Sequence, residues 1–282
     1  MRLICVVDDA VQRSSPFWGE HGLAFLIETE GRRLLFDTGQ SGTILLHSLG
    51  LLGVDPETID ALAISHAHYD HTGGLPALLE HLRSGIPLYA NPDLFRQRFS
   101  RRKGQPESIG LSMTREELAT RLALNLNARP QEILPGLWTT GEISERPEPE
   151  GKSDYHLMRE GGALVADAYR DDMALVLDVG DQLVLLCGCC HAGLLNTLAH
   201  VEHTFEQPIA IIAGGLHLTG ASAQDLRHIG EVLAAMPVLE RVYPNHCTGE
   251  TAFVALTQIL GPTVVHPCPA GTVLEFPARD ES

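Results

Sequence analysis

The chain has 282 residues, 44% of them hydrophobic, with 27 glycines, 17 prolines and a net charge of −16. That length can bury a sizeable core in a loop-rich globular fold, the apolar runs are too short for a membrane-spanning helix, and the acidic balance argues against a nucleic-acid partner. Six cysteines, with Cys187, Cys189 and Cys190 crowded together, do not suggest a secreted disulfide framework, and an N-terminus that turns acidic at Asp8-Asp9 does not read as a signal peptide, so a cytoplasmic protein is expected.

In chain order, residues 21–28 and 32–36 read as apolar strands around a turn at Glu30-Gly31, a hairpin. The second strand runs into Asp37-Thr38-Gly39. A helix is predicted over 43–52 and a strand over 59–64. There follows the densest chemical signal in the sequence, Ser65-His66-Ala67-His68-Tyr69-Asp70-His71-Thr72-Gly73-Gly74. Residues 75–80 then read as a helix start with Pro76 in its first turn. The run therefore lies on a strand-to-helix loop. Three imidazoles and a carboxylate so close together are explained by a divalent cation: zinc first, with iron and manganese as competitors. On extended backbone His66 and His68 project the same way and reach one ion. Asp70 and His71 then turn toward a second. The twin glycines let the chain leave the loop without a Cβ clash.

A short strand is expected over 86–90. Residues 93–130 differ in composition and read as a helical insertion over the active-site face, with a helix-start signature at 114–119. Arg96, Arg98, Arg101, Arg102 and Lys103 crowd within it. They are either a solvated loop or a mobile arm that attracts an anionic substrate, with Arg101 and Arg102 as the candidate substrate-binding residues. Residues 144–155 have linker composition and are expected to form a long loop or lid. Strands return at 174–179, 182–187, 209–213, 240–243 and 272–276, with helices at 193–204 and 222–235. The alternation predicts layered α/β packing.

Two metals need ligands beyond the cassette. His191, His217 and His246 each follow an apolar strand with a glycine close by. His191 and His246 are the expected additions. His217 is either a ligand or a general acid. Asp37 is expected to hydrogen-bond a ligand histidine and fix its tautomer. Cys189 and Cys247 are expected beside the metals, while Cys187 and Cys190 read as small buried apolar groups.

The motifs Glu20-His-Gly, Leu35-Phe-Asp-Thr-Gly-Gln-Ser-Gly, Ser65-His-x-His-Tyr-Asp-His-Thr-Gly-Gly-Leu, Gly188-Cys-Cys-His-Ala-Gly, Gly214-Gly-Leu-His-Leu and His246-Cys-Thr-Gly resemble the metallo-β-lactamase superfamily. Within it they look like the branch of dihydropterin-phosphate (7,8-dihydropterin-6-methyl-ribofuranosyl-aminobenzene phosphate) synthase-like proteins. The resemblance spans nearly the whole chain, 1–282, as one domain. It implies an α/β fold, a four-layer αβ/βα sandwich with the metals at one edge. It assigns His66 and His68 to the first metal, Asp70 and His71 to the second, and matches His246 to the last histidine of the superfamily. The usual bridging Asp has no clean counterpart. Gly188-Cys189 occupies the spot, so either His191 replaces a missing His, or Cys189 or His217 stands where the Asp would be.

The leading expectation is a dinuclear, zinc-type metal-dependent hydrolase using a metal-activated hydroxide. Asp70 and His217 are its catalytic residues, and its substrate is a small anionic molecule, phosphorylated and pterin- or nucleotide-like. The competing readings are an iron-dependent redox enzyme on the same fold and a non-catalytic metal- or ligand-binding sensor. The expected partners are a small-molecule substrate and further copies of this chain in a homo-oligomer, but neither nucleic acid nor membrane.

Overall fold

Glu30 and Gly31 both take positive φ, 49° and 74°, the paired left-handed residues that a two-residue turn between twisted strands requires. They join the first hairpin of a computed structural model that describes residues 1–276. The strands are β1 (Arg2–Val7), β2 (Ala24–Thr29), β3 (Arg32–Phe36), β4 (Ala61–Ala63), β5 (Pro87–Ala90), β6 (Arg98–Ser100), β7 (Glu107–Ser108), β8 (Ala123–Leu126), β9 (Gln131–Leu134), β10 (Leu137–Thr139), β11 (His156–Glu160), β12 (Ala163–Ala166), β13 (Leu175–Asp178), β14 (Leu183–Cys187), β15 (Ile209–Gly215), β16 (Arg241–Asn245) and β17 (Val273–Glu275). The helices are α1 (Gly42–Leu51), α2 (Tyr69–Thr72), α3 (Leu75–Leu79), α4 (Arg115–Ala119), α5 (Leu194–Phe205), α6 (Ala223–Ala235) and α7 (Glu250–Leu260). None of these helices is long and apolar enough to cross a membrane.

One sheet runs in the order β17-β1-β2-β3-β4-β5-β8 and a second in the order β16-β15-β14-β13-β10-β9. Their strands are apolar on both faces, as strands covered on both sides must be. Leu26, Leu35 and Leu62 pack outward with Leu45 of α1 and Leu78 of α3. Phe25, Leu34, Phe36 and Ala63 point inward against Leu175, Leu177, Val184 and Leu186 of the second sheet. The outer face of that sheet, Val176, Leu185, Ile212 and Val242, packs on Leu198, Leu226 and Leu256 of α5, α6 and α7. Helices, sheet, sheet and helices make the expected four-layer sandwich.

The parallel strands set the position of the site. β3, β4 and β5 run parallel in the first sheet, as do β14, β15 and β16 in the second. The cassette follows β4, while residues 188–193, 216–219 and 246–249 follow β14, β15 and β16.

Two expectations need correction. Residues 93–130 are not a helical insertion. The start signature at Thr114 is real, a capping box with Glu117, but it opens only the five-residue α4. Leu118 is its one buried residue, too small an apolar face to sustain more turns. The remaining elements of regular strand are β8, which pairs parallel with β5 at the edge of the first sheet, and β6 and β7. These last two join β11 and β12 in a third, four-stranded sheet, order β12-β11-β6-β7. Residues 144–155 form an irregular loop as expected, but it is no free lid. Arg146 ties it to the carbonyls of Ala168 and Tyr169, and the Gly151 carbonyl accepts from His191. The pattern also hid β9 to β12 and the whole of α7.

Candidate metal centre

Backbone strain concentrates where the strand-end loops meet. Of eight non-glycine residues with positive φ among the described residues, five lie here: Asp37, Tyr169, Cys190, His217 and His246. Each costs of order 1–3 kcal/mol and persists only where the surroundings impose it. The cassette is pressed onto its neighbours as tightly. A Cβ on Gly73 would lie 2.1 Å from the Gln40 carbonyl oxygen, and one on Gly74 2.2 Å from that of Thr38. The twin glycines allow this close approach rather than a left-handed turn, since both have negative φ.

Around this loop imidazoles gather with one nitrogen tied back and the other bare. His66 Nδ1 lies 2.9 Å from Ser65 Oγ, and that hydroxyl donates to Asp37 Oδ2 at 2.7 Å. His71 Nδ1 donates to the same Asp37 Oδ2 at 2.7 Å. His191 Nδ1 donates to the Gly151 carbonyl at 2.7 Å, and His246 Nδ1 to Asp9 Oδ2 at 2.7 Å. These bonds place the proton on Nδ1 and leave the Nε2 lone pair free. The Nε2 atoms of His66, His68, His191 and His246, and Nδ1 of His217, are buried with no hydrogen-bond partner. Buried polar atoms rarely stay unpaired in this density. A divalent ion is the partner such a donor set fits.

Two groups share one sulfur. His66, Cys189 and His191 place ligand atoms within 4.8 Å of one another, and so do His71, Cys189 and His246. His71 Nε2 is 3.2 Å from Cys189 Sγ. The His68 ring lies 4.6 Å from that of His66 and 5.0 Å from that of His191. Asp70 Oδ2 faces the other group, 3.3 Å from His246 Nε2 and 3.7 Å from His71 Nε2. Cys189 thus stands between two clusters, each able to hold an ion. A third grouping joins Cys189 to His217 and Cys247.

Electrostatics follow from burial. Desolvation, reinforced by neighbouring imidazoles, pushes His66 and His191 well below the ordinary histidine range; desolvation does the same to His68. They stay neutral, the form that binds metal. Burial opposes the Asp70 carboxylate, yet His71, His246 and His68 hold it below the usual range. Burial likewise opposes the Cys247 thiolate, but Cys189, His246 and His217 bring it well below an ordinary thiol.

Residues 18–176 match the family model of the metallo-beta-lactamase superfamily. The chain belongs to that superfamily. A relative in Methanocaldococcus jannaschii, 7,8-dihydropterin-6-methyl-4-(beta-D-ribofuranosyl)-aminobenzene-5'-phosphate synthase, is 30% identical over 262 residues that make up 88% of each protein. The crystal structure of Tm1679, described as a metal-dependent hydrolase of the beta-lactamase superfamily, superposes with a TM-score of 0.82 at 28% identity over 98% of each chain. Zn(2+)-bound PqqB from Methylobacterium extorquens shares the fold alone, with TM-score 0.57 and 11% identity over 98% of this chain and 100% of that one.

Within this superfamily fold His66, His68, Asp70, His71, His191 and His246 come together from three loops. His217 joins them, its ring 4.2 Å from that of His191. Asp37 bonds both Ser65 and His71 within the cassette loop, and Cys189 sits inside the cluster. The basic segment is no mobile arm. Arg96 pairs with Asp93, and Arg98 is buried among Asp93, Asp167 and Asp171. Arg101 and Arg102 lie in the exposed turn between β6 and β7, beside Tyr155, whose carbonyl accepts from the Arg101 backbone.

Sequence reasoning passed over Asp9, His21, His156 and Tyr169. His156 packs its ring 4.9 Å from that of His68, and its Nδ1 is 2.9 Å from the Tyr169 hydroxyl. It arrives on β11, a strand no local pattern announced. His21 carried a signal in Glu20-His21-Gly22, where Glu20 accepts from the Gln40 and Ser41 backbone and pins that loop to the cassette side.

Proposed function

We propose that this superfamily member is a hydrolase holding two divalent ions, zinc foremost, that acts on a small phosphorylated, pterin-like molecule. The observation that carries the reading is the set of buried, unpartnered imidazole nitrogens around Cys189 and Asp70. Mixed nitrogen, oxygen and sulfur donors suit zinc. When bound, such ions supply Lewis acidity and ionise water near neutral pH.

The chain's own residues do the rest. Asp37, Ser65, Gly151 and Asp9 fix the tautomer and direction of His71, His66, His191 and His246, so the ligand lone pairs are aimed before any ion arrives. Cys189 takes the central place where the commoner pattern of the superfamily has an Asp. Asp70 holds negative charge at the second cluster. His217, half-buried with its ring 4.2 Å from that of His191, is placed to hold a substrate oxygen or deliver a proton. Arg101 and Arg102, exposed on the third sheet, supply cationic charge for a phosphate.

The anionic, pterin-like substrate is supported by the likeness to the Methanocaldococcus jannaschii 7,8-dihydropterin-6-methyl-4-(beta-D-ribofuranosyl)-aminobenzene-5'-phosphate synthase and by the exposed side chains of Arg101 and Arg102. The test is elemental analysis of the purified protein, followed by assay of metal-loaded and chelated samples on phosphomonoesters, phosphodiesters, thioesters and lactones. Metal-dependent release of phosphate, with KM raised about tenfold in Arg102→Ala, is expected. Stoichiometric metal without turnover on any of the four classes would overturn the reading.

A further inference from the structure

The second cluster is larger than the sequence motifs announce. His21, in the loop between β1 and β2, points its Nε2 at Asp70 Oδ2 from 3.4 Å. His246 and His71 approach the same oxygen with their Nε2 atoms at 3.3 and 3.7 Å. Two ligand atoms that each lie about 2.05 Å from a tetrahedral ion are roughly 3.3 Å from one another. The spacing is therefore that of atoms arranged round a shared cation.

The rear of the cluster is built to match. Asp9 uses both oxygens, Oδ1 on His21 Nδ1 at 2.9 Å and Oδ2 on His246 Nδ1 at 2.7 Å. Asp37 does the same for His71. All three imidazoles thus carry a carboxylate on Nδ1 and turn Nε2 to one point, the carboxylate–histidine–metal arrangement. The His21 side chain is 54% exposed, whereas those of His71 and His246 are fully buried. It stands on the solvent side of the cluster.

Resting on the metal-binding reading above, we propose that His21 is a further protein ligand of the second ion, and that Asp9 orients His21 and His246 as a pair. The second position then has three imidazoles and a carboxylate, with Cys189 beside them. Its ion is enclosed on the solvent side by His21 and exchanges slowly.

The experiment loads wild type, His21→Ala and Asp9→Asn with zinc and follows release to a chromogenic chelator, then repeats the loading with cobalt(II) and records the visible spectrum. Wild type should take up two equivalents and release one slowly. In His21→Ala the slow equivalent should leave about 10–100 times faster, the usual scale for a lost metal-site partner, with an altered cobalt spectrum. Asp9→Asn should weaken the same equivalent. The rise in thermal midpoint that zinc gives should be smaller in both variants than in wild type, which a merely structural role would not give. An unchanged second equivalent and spectrum in His21→Ala overturn the proposal while leaving the functional reading intact. A wild-type chain that takes up no divalent ion overturns both.

Discussion

Asp37 and His71 meet at 2.7 Å with both side chains fully buried. The same carboxylate accepts from the Ser65 hydroxyl and, on its other oxygen, from the Ser65 backbone N–H, each at 2.7 Å. Ser65 Oγ in turn accepts a hydrogen bond from His66 Nδ1 at 2.9 Å. One aspartate at the end of β3 therefore aims a histidine in each of the two clusters. Asp37→Asn keeps the shape but sets an amide NH2 or a weaker acceptor against these donors. Metal affinity should fall about 10–100-fold, measured by competition with a chelator of known affinity. Equal affinity in the variant would show that Asp37 aims nothing.

The site histidines of the metal-free chain should contribute most stability near pH 6.5. His66, His68 and His191 are held neutral by burial, so below about 6.5 the unfolded chain binds protons that the folded chain refuses. Stability then falls as pH falls, by up to about 1.4 kcal/mol per pH unit for each group. His21, His217 and His246 are shifted upward: burial opposes the charge on the last two, while Asp9 for His21, Cys247 for His217, and Cys247 and Asp70 for His246 favour it. Their contribution is complete below about 6.5 and is lost as pH rises through their raised values. Urea midpoints of chelated protein from pH 5 to 9 should trace a dome. A flat profile would mean that these rings are solvated.

Much of this fold was legible in the chain. The turn at Glu30-Gly31, the strands on either side, and the double-faced apolar runs of β13 to β15 carry local signals that packing reinforces. The cassette was legible because its ligands are neighbours in sequence. His21 and His156 were not, for their roles come from pairing with Asp9 and Tyr169, contacts fixed only by the assembled loops. The segment 93–130 misled because one sound capping box at Thr114 says where a helix starts and nothing of how soon it ends. Arg98 was read as part of an exposed charge run, since no local pattern shows that three aspartates surround it.

Close approach of the backbone makes glycine positions unequal. At Gly74 a methyl group would lie 2.2 Å from the Thr38 carbonyl oxygen and 3.0 Å from a Leu45 methyl. Gly74→Ala must push the cassette away from β3, at about 1–3 kcal/mol and with weakened metal binding. Gly50, in α1, has open space around its absent side chain. Gly50→Ala should add about 0.5–1 kcal/mol by helix propensity. Chemical denaturation of the two variants should move in opposite directions, and a stabilising Gly74→Ala would refute the tight seating of the loop.

Arg98 is the strongest test of the third sheet as a support for the site. Its guanidinium is fully buried, 2.6 Å from Asp171 Oδ1, 3.0 Å from Asp167 Oδ2 and 3.1 Å from Asp93 Oδ2. The other oxygen of Asp171 accepts from the Ala67 backbone N–H at 2.8 Å, between His66 and His68. Arg98→Met strands these carboxylates without their cation, and a loss of about 3–5 kcal/mol is expected. The loss should shrink as pH falls toward 5, because burial already pushes Asp171 up to about 7 and, without the guanidinium that opposes this, it takes up a proton that the unfolded chain does not hold. Exposed Arg101→Ala should stay within about 0.5 kcal/mol of wild type. Urea unfolding at pH 7 and pH 5 separates these outcomes. A deficit in Arg98→Met that is equal at both pH values would mean that lost packing, not stranded charge, is the cause.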